Sequence, residues 1–422
     1  MKHEHRYPKP RGAEIRNSKH QIRNRFEIQS TETRRPFGPV SGFGFCSSVL
    51  ALGKAWDVIR KPDVCGRPHH VQLEVTTHCN LACYMCVRNE VIKHPRHLSL
   101  ADFQRLFDQI TPRRLTLSGA GEPLLNPDLV AMVAHASRHG AATMVPTNGT
   151  LLGKAELARG LVQAGLNTLK ISIDAATAQS YQAIRRQDCF DRILGGVRQL
   201  EEVKRRHNRR TPELRFDVVI LKENWAEIPD IVELARQLGI GTVFFRPLQV
   251  TGIGKQREAI GRDVDFEGLY RAVQEGLARA KRLGVRTNLK EVARDFATYR
   301  SIYVRKDAAL DREVCLLPWL QCFISVKGEM SPCCATYTNE SFSAGNVFEE
   351  GFEAVWNGLR MQEIRRQFRQ HKNPLAICRD CIPRSVPVLL KMSSMLPGFV
   401  WSRRARPAPR GTAKRPDNVP NP

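Results

Sequence analysis

Long apolar runs are missing from this sequence of 422 residues. No uninterrupted stretch reaches the roughly 18 to 20 apolar residues that a membrane-spanning helix needs. The N-terminus, Met-Lys-His-Glu-His, also has no apolar stretch of the kind a secretory signal carries. We therefore expect an intracellular, cytoplasmic protein. Apolar residues still make up 42% of the chain, which is enough for a buried core and excludes disorder throughout.

Acidic residues are scarce beside basic ones. The chain has 42 Asp and Glu against 66 Lys and Arg, a net charge of +24. Such a surface favours an anionic substrate or partner, such as nucleic acid, a phosphorylated molecule or a lipid surface, or it is simply solvated. Charge alone does not identify the substrate, but it leads us to expect an anionic one.

Strands and helices alternate from residue 71 onward. Several of the predicted helices end at or near a glycine, namely Gly140, Gly165 and Gly239. Six repeats of a strand and a helix predict parallel strands with right-handed crossovers. An open doubly wound sheet and a partial barrel both satisfy the pattern, and both gather ligands at the carboxyl ends of the strands. The predicted strands are Val71–Thr77, Arg114–Ser118, Thr143–Thr147, Thr168–Asp174, Leu214–Ile220 and Thr242–Pro247.

Composition divides the chain into five predicted segments. Residues 1–60 form a flexible basic arm, with one short amphipathic helix over Ser47–Arg60, and 61–250 form the β/α repeats. Residues 251–310 form a bridging segment with a helix at Phe266–Leu283, and 311–385 a small cysteine-rich domain. The tail 386–422 is basic and rich in proline. It either lies on a membrane surface or packs on the preceding domain, and its prolines favour packing.

Three cysteines follow the first predicted strand without a fourth in the same loop. Cys79, Cys83 and Cys86 have the spacing C-x3-C-x2-C. Three thiolates can hold three corners of a cubane iron–sulfur cluster and leave one iron open to a ligand, whereas an electron-carrying cluster has four protein thiolates. A zinc knuckle or three buried thiols are the alternative interpretations of this spacing.

The ends of later strands carry motifs of their own. Gly119-Ala-Gly-Glu-Pro123 follows the second strand, Thr147-Asn-Gly-Thr150 ends the third, and Ile171-Ser-Ile-Asp174 lies in the fourth. Together with C-x3-C-x2-C, this order resembles the radical S-adenosylmethionine (radical SAM) superfamily. The sequence departs from the family pattern at two positions. Ala120 replaces a glycine of the family's Gly-Gly-Glu-Pro turn, and Met85 replaces the aromatic residue that usually precedes the third cysteine.

The resemblance implies a fold, a cofactor and a reaction. The fold is an α/β partial (β/α)6 TIM-like barrel followed by a small cysteine-rich auxiliary-cluster domain. A 4Fe-4S cluster on the three cysteines binds S-adenosylmethionine through its open iron, and one electron cleaves it to a 5′-deoxyadenosyl radical that takes a hydrogen atom from the substrate. An electron donor such as flavodoxin or ferredoxin supplies that electron. The implied S-adenosylmethionine contacts are Met85, Gly121, Glu122, Pro123, Asn148, Ser172, Asp174 and Arg185.

A second cysteine group lies between residues 315 and 381. Its spacing, C-x12-G-x4-C followed by C-x2-C, is similar to the SPASM or shorter twitch domain found behind many radical SAM cores. That resemblance implies one auxiliary 4Fe-4S cluster closed by four ligands, Cys315, Cys333, Cys378 and Cys381. Cys334 is an alternative to Cys333, and a structural zinc site is an alternative to the cluster.

Three functions remain open at this point. The favoured one is a redox radical enzyme that oxidises a small molecule, a sugar or a cyclitol and uses the auxiliary cluster. The second is a maturase of ribosomal peptides, although residues 1–60 show no folded peptide-recognition domain. The third is a basic nucleic-acid-binding iron–sulfur or zinc protein without radical chemistry, which does not explain why Glu122 and Ser172 fall at strand ends.

Overall fold

The computed structural model describes residues 65–247, 265–294, 315, 317–336, 342–370 and 372–379. The predicted N-terminal arm with its helix at Ser47–Arg60, the C-terminal tail and Cys381 lie outside these residues. Within the described ranges, no helix is long and apolar enough to cross a membrane.

A single mostly parallel sheet organises the described residues. Its first six strands lie side by side in chain order, β7 extends it beyond β6, and β8 pairs with the free side of β1. Only β8 and β9 are antiparallel to each other among these pairs. The strands are β1 His70–Glu74, β2 Arg114–Ser118, β3 Ala142–Thr147, β4 Thr168–Ser172, β5 Glu213–Ile220, β6 Thr242–Pro247, β7 Arg286–Thr287, β8 Gln321–Ile324 and β9 Met330–Ser331.

The strand order decides between the two architectures that the repeats allowed. A doubly wound sheet reverses its order at a switch point, whereas β1 to β6 run without reversal. The fold is therefore the partial barrel, and β8 from the cysteine-rich segment continues its sheet. The helices are α1 Arg88–Val91, α2 Leu100–Ile110, α3 Leu129–Arg138, α4 Ala155–Gln163, α5 Ala178–Arg185, α6 Phe190–Arg206, α7 Ile228–Gln237, α8 Phe266–Leu283, α9 Leu289–Arg294, α10 Leu317–Leu320, α11 Phe352–Trp356, α12 Leu359–Arg369 and α13 Ala376–Arg379.

The two faces of the sheet differ in chemistry because side chains alternate along a strand. Leu169 and Ile171 of β4 are buried apolar residues, and Ile171 lies close to Ile193 of α6 at the Gly149 turn. Lys170 and Ser172, which alternate with them, are polar and half-buried. The same alternation in β2 and β5 gives the sheet an apolar outer face under the helices and a polar inner face.

Two predicted strands end earlier than expected. The first stops at Glu74, since Thr76 pairs with His97 and the Thr77 amide donates to the Arg96 carbonyl, so this segment follows another partner. The fourth stops at Ser172, because Asp174 has a left-handed backbone with φ of 52°. The helix predicted at Phe266–Leu283 is confirmed with those bounds.

Candidate active site

The three-cysteine loop lies directly beyond the carboxyl end of β1. Cys83 is buried, Cys79 and Cys86 are half-buried, and the Cys86 amide donates to the Cys83 carbonyl at 3.1 Å. Burial raises the pKa of Cys79 and of Cys86, and the charge of Cys83 adds to both shifts. The thiols therefore lie close enough to interact, and bound iron would favour their deprotonation.

The turn after β2 packs against the start of this loop. The Gly121 amide donates to the Thr76 carbonyl at 3.2 Å, and the Glu122 amide donates to the His78 carbonyl at 2.7 Å. A Cβ atom at Gly121 would lie 2.3 Å from the His78 carbonyl oxygen, so the approach admits only glycine. Pro123 begins a short 3-10 helix there, Pro123–Leu125.

Glu122 ties this turn to the end of β3. Its carboxylate accepts the Thr147 hydroxyl at 2.7 Å, the Asn148 amide at 2.6 Å and the Leu124 amide at 3.1 Å. Burial raises the pKa of Glu122, while these donors oppose the shift. The residue thus fixes two strand-end loops relative to each other.

Asn148 ties the end of β3 back to the cysteine loop. Its side chain donates to the Asn80 side chain at 2.9 Å and accepts the Thr150 hydroxyl at 2.7 Å, and Asn80 donates to that same hydroxyl at 2.8 Å. Asn80 lies next to Cys79 in the chain. The β3 end therefore orients the backbone of the cysteine loop.

Asp174 and Arg185 form a buried ion pair beside the cysteines. Arg185 lies at the end of α5, and its guanidinium also contacts the Cys83 sulfur at 3.5 Å. Burial opposes the charge of Arg185, but Asp174 and Cys83 outweigh it, so the pKa of Arg185 is raised. Its Nε atom is buried and has no hydrogen-bond partner within the described ranges, so a donor is available to an anionic ligand.

The other predicted contacts occupy nearby positions. Met85, in the cysteine loop itself, is buried in the hydrophobic core, and Ser172 is half-buried on the inner face, where it is in register with Asp217 of β5. All eight predicted contacts thus lie in the cysteine loop or in segments at or beyond the carboxyl ends of β2, β3 and β4.

A structurally important carboxylate in β1 was missed by the sequence analysis. Glu74 is fully buried and accepts the Ala120 amide at 2.8 Å and the Val326 amide at 3.1 Å. Burial raises its pKa. It joins the turn after β2 to the loop after β8, so the cysteine-rich segment is fixed to the active-site edge. A charged residue among the apolar residues of the first strand was the available signal.

Three of the predicted auxiliary ligands line one cavity. Cys315, Cys333 and Cys378 surround about 440 Å³ of space, part of it open to solvent. The rest of the lining is almost wholly apolar. Cys333 lines this cavity, whereas its neighbour Cys334 does not. The other lining residues are Leu317, Pro318, Pro332, Ala335, Thr336, Ile364, Phe368, Pro374, Leu375 and Ile377.

Comparison with known families decides the kind of protein. The radical SAM superfamily model matches residues 73–235, and the model of SPASM, an iron–sulfur cluster-binding domain, matches residues 315–382. The chain belongs to the radical SAM superfamily. As a radical SAM enzyme with a C-terminal SPASM domain, it uses a 4Fe-4S cluster, S-adenosylmethionine and auxiliary iron–sulfur.

Individual relatives extend over most of the chain. AdoMet-dependent heme synthase of Methanosarcina barkeri is 26% identical over 325 residues, covering 74% of this chain and 88% of that protein. Mycofactocin maturase MftC of Mycobacterium ulcerans is 26% identical over 313 residues, 73% of this chain and 78% of that protein. The crystal structure of Streptococcus suis SuiB bound to precursor peptide SuiA superposes with a TM-score of 0.56 at 14% identity, covering 86% and 82% of the two chains, and shows the same fold.

The residues fit the groups that this family carries. In the described part of the chain, no three His, Cys, Asp or Glu side chains are placed to hold a single metal ion. A cubane has no such requirement, because its thiolates bind different iron atoms. The unpaired donor of Arg185 beside Cys83 suits a carboxylate ligand there, and the apolar cavity at Cys333 suits an enclosed cluster.

Proposed function

We propose that this radical SAM enzyme oxidises a small-molecule substrate by two electrons, with a sugar or cyclitol alcohol as the favoured class. When bound, the first cluster and S-adenosylmethionine supply hydrogen-atom abstraction, and auxiliary iron–sulfur supplies an acceptor for the second electron. The observation that carries the radical chemistry is Arg185, which is paired with Asp174, touches Cys83 and keeps a buried donor free of partners within the described ranges. The choice of substrate class rests instead on the single auxiliary cluster that the cysteine spacing implies.

Each part of the site has an assigned role. Cys79, Cys83 and Cys86 hold the cluster, and Arg185 binds the carboxylate of S-adenosylmethionine while Asp174 orients the guanidinium. The remaining contacts position the amino group, the ribose and the adenine from the strand ends, as the family resemblance implies. These are Met85, Gly121, Glu122, Pro123, Asn148 and Ser172.

The auxiliary site is assigned to one closed cluster held by Cys315, Cys333, Cys378 and Cys381. The shared cavity of the first three supports this assignment, and its apolar lining would limit the access of water to a cluster bound there. Since radical SAM enzymes need a reductant, we assign that role to a small electron carrier such as flavodoxin or ferredoxin.

A peptide maturase is the second candidate. Mycofactocin maturase is among the relatives, and SuiB was solved with a precursor peptide. This candidate has the same cofactors and differs in the substrate. The nucleic-acid-binding alternative without radical chemistry has less support, because the match at residues 73–235 is to a family of enzymes.

Anaerobic reconstitution followed by reduction tests the proposal. The wild type should convert S-adenosylmethionine to 5′-deoxyadenosine, and Cys83→Ala should abolish this product, because the cluster loses one of its three thiolates. Cys189→Ala, which removes a buried thiol on another element, is the matched control and should retain the product. Absence of 5′-deoxyadenosine from the fully reconstituted wild type would refute the function. Deuterium transfer from labelled cyclitols or labelled peptides into 5′-deoxyadenosine then separates the two substrate classes.

A further inference from the structure

A cluster of charged residues lies on the inner face of β4, β5 and β6. Asp217 of β5 lies at its centre and is paired with Lys170 of β4 at 3.8 Å, with Arg215 of β5 at 2.6 Å and with Arg246 of β6. Burial works against the Asp217 charge, but the three cations outweigh it and hold the pKa of Asp217 below its usual range. The carboxylate is therefore ionised.

The cluster has more positive than negative charge. With Lys170 protonated, three cations share one carboxylate and the cluster has two positive charges in excess; with Lys170 neutral, the two arginines still leave one in excess. Glu213, on the same face of β5, does not restore the balance, because it is paired with Arg286. Buried charges are stable when they are paired, so this arrangement favours a further anion.

Aromatic packing fixes the two guanidinium groups. The Phe244 ring lies 5.1 Å from the Arg215 guanidinium and 5.3 Å from that of Arg246, a geometry in which the ring attracts a cation. The Arg215 side chain is 2% exposed and that of Lys170 13%, whereas the Arg246 side chain is 45% exposed. The cluster thus has a fixed interior and is reached from solvent beside Arg246.

We propose that Lys170, Arg215 and Arg246 bind an anionic group of the substrate, either a carboxylate or a tetrahedral ester such as a phosphate. Arginine forks match both kinds of oxyanion, and Asp217 orients them. Ser172 follows Lys170 on the same face and is in register with Asp217, so the bound group lies beside the proposed S-adenosylmethionine contacts. The assignment rests on the proposed function, since that function is what makes the ligand a substrate.

Direct binding to the reconstituted holoenzyme tests the assignment without any need for turnover. Sulfate stands for the tetrahedral ester and succinate for the carboxylate, and neither titrates above about pH 6.5. Arg246→Gln should weaken binding of the preferred probe about tenfold, which is the usual contribution of a charge-assisted hydrogen bond to affinity. Arg198→Gln removes one exposed charge from α6 and, as the matched control, should bind as the wild type does.

The pH dependence adds a second measurement. Burial, with help from Arg215 and Arg246 and against the pull of Asp217, lowers the pKa of Lys170 to about 7. Binding should therefore weaken about fivefold or more between pH 6.5 and 8.5 as Lys170 loses its proton, and Lys170→Met should remove most of that dependence. The other titratable groups that act on or respond to Lys170 are His70 and Cys334.

The outcomes separate the proposals. Tighter binding of sulfate assigns the tetrahedral ester, tighter binding of succinate assigns the carboxylate, and either supports the subsite. The proposed anion subsite is overturned if neither probe binds with a dissociation constant below roughly 10 mM. It is also overturned if Arg246→Gln and Arg198→Gln bind the preferred probe with the same affinity. The 5′-deoxyadenosine assay on the same wild-type preparation reports on the proposed function alone, so failure of one proposal is seen separately from failure of the other.

Discussion

The two cysteine groups of this protein lie in opposite surroundings. Around Cys83 the strand ends are joined by polar contacts, with Asn80 bound to Asn148 and Arg185 paired with Asp174. Around Cys333 the walls are almost entirely apolar. A polar site with an unpaired hydrogen-bond donor can bind a small charged ligand. An apolar cavity suits a cluster whose irons are all bound by protein thiolates.

The two cysteine groups also depend on different parts of the fold. The loop of Cys83 is held by hydrogen bonds from the ends of β3 and α5, so its geometry depends on the barrel. Cys315 and Cys378 belong to a second, smaller core with Trp319, Ile364, Phe368 and Ile377. We therefore expect damage to one site to leave the other largely intact, apart from the link made by Glu74.

The largest expected effect is on iron content. The proposed pair of cubanes requires about eight irons per chain, and Cys333→Ala should lower this to about four while the first cluster remains. Iron and acid-labile sulfide analysis measures it. Cys334→Ala is the adjacent control, since Cys334 does not line the cavity, and it should keep all of the iron. Equal losses in the two variants would contradict the assignment of Cys333.

A smaller effect is expected from the buried ion pair. Asp174→Asn keeps a residue that tolerates the left-handed backbone, but it leaves Arg185 buried beside Cys83 without its carboxylate. Breaking such a pair costs about 3 kcal/mol, measured as a lower free energy of unfolding in urea.

The control for this variant is an exposed pair. Glu156→Gln removes the partner of Arg159 on the surface of α4 and should have little effect, because water screens such pairs. If Asp174→Asn unfolds at the same urea concentration as Glu156→Gln, the buried Arg185 does not depend on Asp174. The description of the first site as one held by paired polar groups would then be wrong.

Much of the barrel was predictable because its signals are local. Six strands and the cysteine spacing follow from short-range patterns, and the first cysteine loop falls where those patterns place it, after β1. Helix α5 was missed, although Thr177 caps it by accepting the Ser180 amide. That omission mattered, since α5 carries Arg185 to the cysteines.

Contacts between distant segments were not predictable. The pairing of β8 with β1 joins residues about 250 positions apart, and no local pattern specifies such a partner. The cluster at Asp217 had a signal, because polar or charged residues alternate with apolar ones in β4 and in the first half of β5. Its pairing, however, depends on strand register. The domain boundaries, the individual site assignments and the cytoplasmic location stay predictions.

Spectroscopy of the reduced first cluster tests the central claim most directly. In Cys333→Ala, where the auxiliary signal should be lost, electron paramagnetic resonance reports on the cluster at Cys79, Cys83 and Cys86 alone. Addition of S-adenosylmethionine should change that signal, because the ligand binds the iron that no cysteine covers. An unchanged signal at saturating S-adenosylmethionine would mean that a protein side chain holds this iron, and the proposed enzyme would be wrong.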